Sequence, residues 1–285
     1  MSLAAFPPPV LSEPHRAAII AAVRQAARDH ILPRFRSLGA DEVSTKSGPG
    51  DLVTLADTEA EAAIIASLSK AWPEAEVLGE ESVAADPALR VRMGEAEWAV
   101  IIDPVDGTWN FAKGLAVYGM ILAVVSRGQV VWGMLYDPMT DDWIEAGVGA
   151  PSRMIRANGA EALLATSLQR KTARMVGYVS LGLFPKALQP RIAVDMTAIS
   201  RATSLRCACH EYRMVAQGHV DFCLSGPTPH PWDHAAGVLC VQQAGGVARF
   251  LDGEAYHTVR LKGVVLAASS EEVWQEQAAR FAYLA

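Results

Sequence analysis

Several absences bound this chain before any motif is read. No apolar run approaches the ~20 residues that a membrane-spanning helix needs. The first ten residues hold three prolines and no basic stretch, so a signal peptide is not expected. Cysteine is scarce, with only Cys207, Cys209, Cys223 and Cys240. None forms a C-x-x-C pair, which argues against a zinc ribbon or a thioredoxin-like site. They are expected to be buried, reduced thiols of a cytoplasmic protein. Positive charge is short as well: 25 Lys and Arg against 31 Asp and Glu leave a net charge of -6. That balance argues against a nucleic-acid polymer as the main partner, which would want a basic patch.

With 285 residues, 51% of them hydrophobic and 20% charged, the chain can bury a sizeable core. It is near the size at which one core divides into two lobes. Ser12-Glu13-Pro14 opens a helix with Ile19, Ile20, Val23, Ala27 and Ile31 at helical spacing, ended or kinked at Pro33. Thr45 to Asp51 reads as a loop and Leu52-Val53-Thr54 as a short strand. Asp57 heads a second helix carrying Ala60, Ile64, Ile65 and Leu68. Strands are predicted at Glu76–Leu78, Trp98–Ile102, Tyr118–Ser126 and Gln129–Tyr136, the last two joined by a hairpin turn at Arg127-Gly128. A Gly, Pro and polar stretch from Gly147 to Asn158 suggests two lobes, 1–150 and 151–285. In the second, a helix closes at Val215–Gly218, a strand spans Asp221–Leu224 and a helix runs from Asp233 to Gly245-Gly246.

The chemistry concentrates in four acidic clusters: Asp51 and Asp57, Gly79-Glu80-Glu81-Ser82, Asp103-Pro104-Val105-Asp106-Gly107-Thr108, and Trp232-Asp233. Singly, Asp57 and Asp233 could be helix N-caps and Glu80-Glu81 a solvated turn. Asp103 and Asp106 follow an apolar strand directly, and two like charges ~4 Å apart repel by roughly 4 kcal/mol at an effective dielectric near 20. A hard divalent cation relieves that repulsion. The spacing of these two Asp, i and i+3, differs from the i and i+2 of haloacid dehalogenases, so a covalent aspartyl-phosphate is not expected. Lys46-Ser47-Gly48 is not a Walker A loop, and Gly177 to Gly182 misses a G-x-S-x-G elbow by one residue. Pro231 separates His230 from His234, which disfavours a shared zinc.

Together, Asp51-x-Val53-Thr54-x-x-Asp57, Gly79-Glu80-Glu81-Ser82, Asp103-Pro104-Val105-Asp106-Gly107-Thr108 and Trp232-Asp233-x-Ala235-Ala236-Gly237 resemble the inositol monophosphatase family. The likeness runs from Lys46 to Gly246 in the family's order. It implies a Mg2+-dependent, lithium-sensitive phosphomonoesterase with an α+β or α/β fold: a layered α-β-α-β-α sandwich of the sugar-phosphatase type, with the site in the cleft between two lobes. It also implies two to three Mg2+ ions held by Glu80, Asp103, the Val105 carbonyl, Asp106 and Asp233. Metal-activated water would attack phosphorus in line, positioned by Glu80 and by Thr108 with Asp57. Gly107 and Thr108, beside Asp106, would hold phosphate oxygens, and Lys46 and Asp51 would belong to a covering loop.

The substrate side departs from the family pattern. Arg206-Cys207-Ala208 stands where inositol-binding members have Gly-Ser/Cys-Ala, and Gly226 where animal members have an acid facing the sugar hydroxyls. Arg206 either favours a substrate with a second anionic group or is a surface residue. The expected partner is a small phosphate ester, with no membrane and a homodimer implied. Inositol 1-phosphate, fructose 1,6-bisphosphate, histidinol phosphate and 3'-phosphoadenosine 5'-phosphate are the candidates. A non-catalytic member that binds phosphometabolites or a protein is the alternative of another class.

Overall fold

The computed structural model describes residues 9–48 and 51–285. The proline-rich start through Pro8 and the Pro49-Gly50 pair of the expected loop lie outside the described residues. Ser12 caps helix α1 (Glu13–Ala26) by accepting from the His15 N–H, and Pro14 sits in the first turn. The helical path continues as a wider π turn, Ala27–Ile31, and ends in a 3-10 turn containing Pro33. The segment read as a loop is largely a strand: β1 (Val43–Gly48) pairs antiparallel with β2 (Asp51–Thr54). Ser44 and Thr45 are exposed and the run is mostly polar, so it carries no hydrophobic alternation to read. Helix α2 (Leu55–Ala71) starts two residues before Asp57, with Thr54 at its N-cap.

Next come β3 (Glu76–Gly79), α3 (Glu80–Ala85), α4 (Leu89–Glu95), β4 (Ala99–Asp106) and α5 (Thr108–Ala112). Strands β5 (Gly119–Ser126), β6 (Gln129–Asp137), β7 (Asp142–Gly147), β8 (Arg153–Ile155) and β9 (Glu161–Leu163) follow. Strands β3 to β9 form one seven-stranded sheet in sequence order. Only β3 and β4 run parallel; the remaining pairs are antiparallel. Arg127 and Gly128 both take positive φ, the twist a two-residue hairpin needs. The sheet continues to Leu163, past the change of pattern at Gly147–Asn158.

Strand β4 corrects one expectation. It does not stop at Ile102: Asp103 lies opposite Ile121 and Asp106 opposite Gly119. The register shifts between them, at Pro104, which has no N–H to give the ladder. The two acids are therefore the end of the strand rather than a loop after it.

The second sheet comes from β10 (Val176–Val179), β11 (Arg201–Thr203), β12 (Phe222–Leu224), β13 (Val247–Phe250) and β14 (Val265–Ala268). Its order is β11-β10-β12-β14-β13, with β11 and β12 parallel to β10. Helices α6 (Gln189–Met196), α7 (Ala208–Ala216), α8 (Pro231–Gln243) and α9 (Glu271–Arg280) complete the chain. Period-two burial sorts the layers. Val100, Ile102, Met120, Leu122 and Val124 pack with α1 and α2, whereas Ile101, Ile121, Ala123 and Val125 pack with α7 and α8. Those two helices meet Cys223, Val265 and Ala267 of the second sheet, while Phe222, Leu224, Leu266 and Ala268 face α6 and α9. The result is the five-layer α-β-α-β-α sandwich that the resemblance implied. All four cysteines are buried and free, and among the described residues no helix is long and apolar enough to cross a membrane.

The central layer is tight. A Cβ on Gly237 of α8 would stand 2.2 Å from ring atoms of Tyr212 on α7. Gly237→Ala is expected to destabilise the protein by about 1–3 kcal/mol through overpacking; a thermal melt matching the parent's would contradict that packing.

Candidate active site

The parallel pairing of β3 with β4 sets Gly79 opposite Ile102. Glu80, the first residue of α3, and Asp103 therefore leave neighbouring strand ends side by side. Asp233, distant in sequence, arrives on the first turn of α8. One carboxylate oxygen from each of Glu80, Asp103 and Asp233 lies within 4.8 Å of the others. Burial, then the Glu80, Asp106 and Asp233 charges, push the Asp103 pKa well up. Burial, Glu80 and Asp106 do the same to Asp233, while a hydrogen bond with Asp103 works against it. Three crowded carboxylates with hard oxygen donors fit a divalent cation such as Mg2+, whose charge offsets both the burial and the repulsion.

Asp106 is not part of that trio. Its Oδ2 accepts the Cys209 N–H at 2.5 Å and the Cys207 thiol at 3.1 Å, at the start of α7. Burial raises its pKa, and the hydrogen bonds from Cys209, Cys207 and Ala208 oppose the rise. Cys207 is thus buried and turned towards Asp106. Burial followed by the Asp106 charge keeps its thiol protonated.

The Val105 N–H donates to Asp103 Oδ1 at 3.1 Å, and the Val105 carbonyl accepts from the Thr108 hydroxyl at 2.9 Å. That hydroxyl also lies 3.1 Å from Asp57 Oδ1, so its single proton serves one of the two acceptors at a time. The other Asp57 oxygen takes the Thr54 N–H at 2.8 Å and the Thr54 hydroxyl at 2.6 Å. Asp57 therefore closes the start of its helix with one oxygen and reaches the site with the other. Burial lifts its pKa to about 7 against those two bonds from Thr54. Asp233 is no N-cap, since His230 holds that position. Gly107 has φ +89°, and a Cβ there would meet the Val117 carbonyl at 2.9 Å and Cys207 Cβ at 3.2 Å, so only glycine makes this turn.

Glu80 and Glu81 are no mere solvated turn. Lys46, on β1, places Nζ 2.6 Å from a carboxylate oxygen of each. Asp51 opens the partner strand of the same hairpin, and its charge reaches His230. Gly226 begins beyond β12, and the space its Cβ would take is filled by Leu183, whose carbons lie 2.9 Å away. Arg206 adopts a positive φ and lays its guanidinium 4.4 Å from the Trp109 ring centroid. His234 bonds Tyr212 through Nδ1 at 2.9 Å, and burial lowers its pKa to about 3. His230 Nδ1 meets Arg90 instead, so the two imidazoles point their Nδ1 atoms at different partners.

Three buried residues escaped the sequence reading. Glu61 accepts the Glu81 and Ser82 N–H groups at 2.9 and 2.7 Å and anchors the first turn of α3. Its signal was present: Asp57 and Glu61 stand at i and i+4, on one face of an Ala-rich helix. Asn110 ties α5 to the Leu205 carbonyl at 2.8 Å. Glu211 takes the Leu205 N–H at 2.7 Å, and burial lifts its pKa to about 7. Nothing local marks Asn110, whose Leu205 partner lies far along the chain, and Glu211 bonds back to Leu205 and Ser204 across the irregular turn before α7.

These shifts have a sign. A carboxyl whose pKa is higher folded than unfolded keeps its proton longer in the folded state, so stability falls as pH climbs from the ordinary carboxylate range to the raised value. With Asp57 and Glu211 near 7, the melting temperature in EDTA should fall between pH 5 and pH 7. Millimolar Mg2+ at pH 7 should restore it by binding the folded state. A melting temperature that rises across this window in EDTA would refute the electrostatic account.

The chain is also similar to known proteins. The family model described as "Inositol monophosphatase family" matches residues 12–283. An inositol-1-monophosphatase of Mesorhizobium japonicum is 33% identical over 250 residues, 84% of this chain and 87% of that one. A fructose-1,6-bisphosphatase/inositol-1-monophosphatase of Thermotoga maritima is 31% identical over 217 residues, 75% of this chain and 77% of its own. Among solved structures, the extragenic suppressor protein suhB of Bartonella henselae superposes with a TM-score of 0.76 at 24% identity, covering 93% of this chain and 97% of that one. The chain belongs to the inositol monophosphatase family.

Proposed function

We propose that this protein is a Mg2+-dependent hydrolase of a small phosphate monoester. The observation that carries the reading is the convergence of Glu80, Asp103 and Asp233 within 4.8 Å, beside the Thr108–Asp57 pair. Glu80, Asp103 and Asp233 hold cation, with Asp106 and the Val105 carbonyl as the further ligands that the resemblance implies. Magnesium bound there supplies Lewis acidity, acidifying water and stabilising charge on the leaving oxygen. Thr108 donates to Asp57 and turns a lone pair towards the attacking water. Asp57, with a pKa lifted to about 7, receives the proton through that hydroxyl near neutral pH. Glu80 orients the same water. The Gly107 and Thr108 N–H groups hold phosphate oxygens, and Lys46 adds positive charge on the hairpin side, with Asp51 in support.

On the leaving-group side, the Arg206–Trp109 stack, Ala208 and the Leu183-filled space at Gly226 offer a cation and apolar surface. Cys207 is spent on Asp106. This composition favours an ester with a second anionic group over an uncharged polyol phosphate. A bisphosphate, as in the name of the Thermotoga relative, fits that class, as does 3'-phosphoadenosine 5'-phosphate; inositol 1-phosphate and histidinol phosphate are the comparators. The same reading carries lithium inhibition, a cytoplasmic homodimer, and lobes at 1–150 and 151–285.

Phosphate release from a panel of sugar, inositol, histidinol and nucleotide phosphates, with and without Mg2+, tests the class. Asp103→Asn should reduce turnover to background with the fold kept by circular dichroism, and Thr108→Ala should lower kcat by about 10²–10⁴. Near-parental turnover in Asp103→Asn, or no Mg2+-dependent release from any ester, overturns the reading. Arg206→Ala should depress kcat/KM for bisphosphates relative to monophosphates; an unchanged ranking removes Arg206 from specificity.

A further inference from the structure

Helix α4 sends Arg90 across to α8, and the contact serves neither helix's own stability in an obvious way. The guanidinium lies 4.5 Å from the Trp232 ring centroid. Its NH2 stands 3.2 Å from His230 Nδ1. His230 in turn stacks on Trp232 with centroids 4.9 Å apart and planes 5° from parallel. Burial, with the Arg90 charge second, lowers the His230 pKa, so the neutral ring accepts through Nδ1. NH1 of Arg90 is buried without a hydrogen-bond partner. Among the described residues no carboxylate forms an ion pair with Arg90, and the acid whose field it feels is Asp233.

The two residues Arg90 grips are the N-cap of α8 and its second helical residue; Asp233 is the third. The Asp233 N–H donates back to the His230 carbonyl at 3.2 Å, so any turn of His230 moves Asp233. Arg90 also belongs to the short α3–α4 unit that begins with Glu80. One side chain thus links the element that carries the first carboxylate of the trio to the element that carries the third. An orphaned buried NH1 is an expense that a surface ion pair would have avoided; holding two aromatic rings in one register accounts for it.

We propose that Arg90 is a positioning residue for Asp233. By bracing His230 and Trp232 it sets where the Asp233 carboxylate stands relative to Glu80 and Asp103, and so sets the affinity of the trio for a divalent cation. The proposal rests on the metal-site reading above, and it has an opposite-sign rival. If Arg90 acts only through its charge, it repels the cation, and removing it tightens binding.

Isothermal calorimetry of the full chain titrated with Mg2+, without substrate, separates the two. Arg90→Ala and Arg90→Met should weaken Mg2+ binding by about 10- to 100-fold, as loss of an outer support for a ligand does, with melting in EDTA unchanged. Arg90→Lys, which keeps a cation over the Trp232 ring, should fall between them and the parent. Parental or tighter Mg2+ binding in Arg90→Met overturns the proposal, and this variant keeps the stem over the ring should Arg90→Ala fail to fold. A parent that binds Mg2+ yet releases no phosphate refutes the proposed activity and leaves this inference standing. A parent that binds no Mg2+ ends both.

Discussion

The repulsion among carboxylates at the end of β4 is the constraint around which the rest is arranged. Within 4.8 Å of one another, ionised oxygens of Glu80, Asp103 and Asp233 would repel pairwise by about 3.5 kcal/mol or more at an effective dielectric near 20. Asp103 is also 3% exposed, so water relieves little of it. The chain tolerates this because each acid is delivered by a rigid element: β4 for Asp103, the start of α3 for Glu80 and the start of α8 for Asp233. Lys46, paired with Glu80, takes up part of the charge.

The layers explain the rigidity. Helix α8 lies between the two sheets and is buried along most of its length, so its first turn can shift little without disturbing both. Asp106 is braced from the same layer, by the Cys209 N–H and the Cys207 thiol at the start of α7. Asn110 and Glu211 hold the Leu205 segment that leads into that helix. Buried polar groups that would destabilise a core in isolation are satisfied by one another here. The central layer is therefore both packing and support for the site.

Asp57 shows how one residue can answer two readings at once. It stands three residues after the Thr54 N-cap, and one oxygen reaches back to Thr54 to complete a capping box. The other accepts from the Thr108 hydroxyl. Burial places its pKa at about 7, which a solvent-facing cap would not have. The structural role fixes the orientation that the chemical role needs.

Much of this was legible in the residues. Apolar runs mark β4, β5 and β6, and the acidic motifs carry Glu80, Asp103 and Asp233. Strand β2 was legible at Leu52-Val53-Thr54, but its partner β1 was not, because that run carries no apolar alternation. The continuation of β4 through Pro104 was missed because proline reads as a break, whereas a register shift absorbs it. Local sequence determines what is encoded locally: period, caps, turns, and the presence of acids at the ends of apolar runs. Only the tertiary structure decided which oxygens meet. It drew Asp233 across to Asp103 and turned Asp106 to α7. It also set Arg90 on Trp232 and hid Glu61 beneath α3, since contacts between residues far apart in the chain follow from how the layers pack and leave no mark on either segment alone.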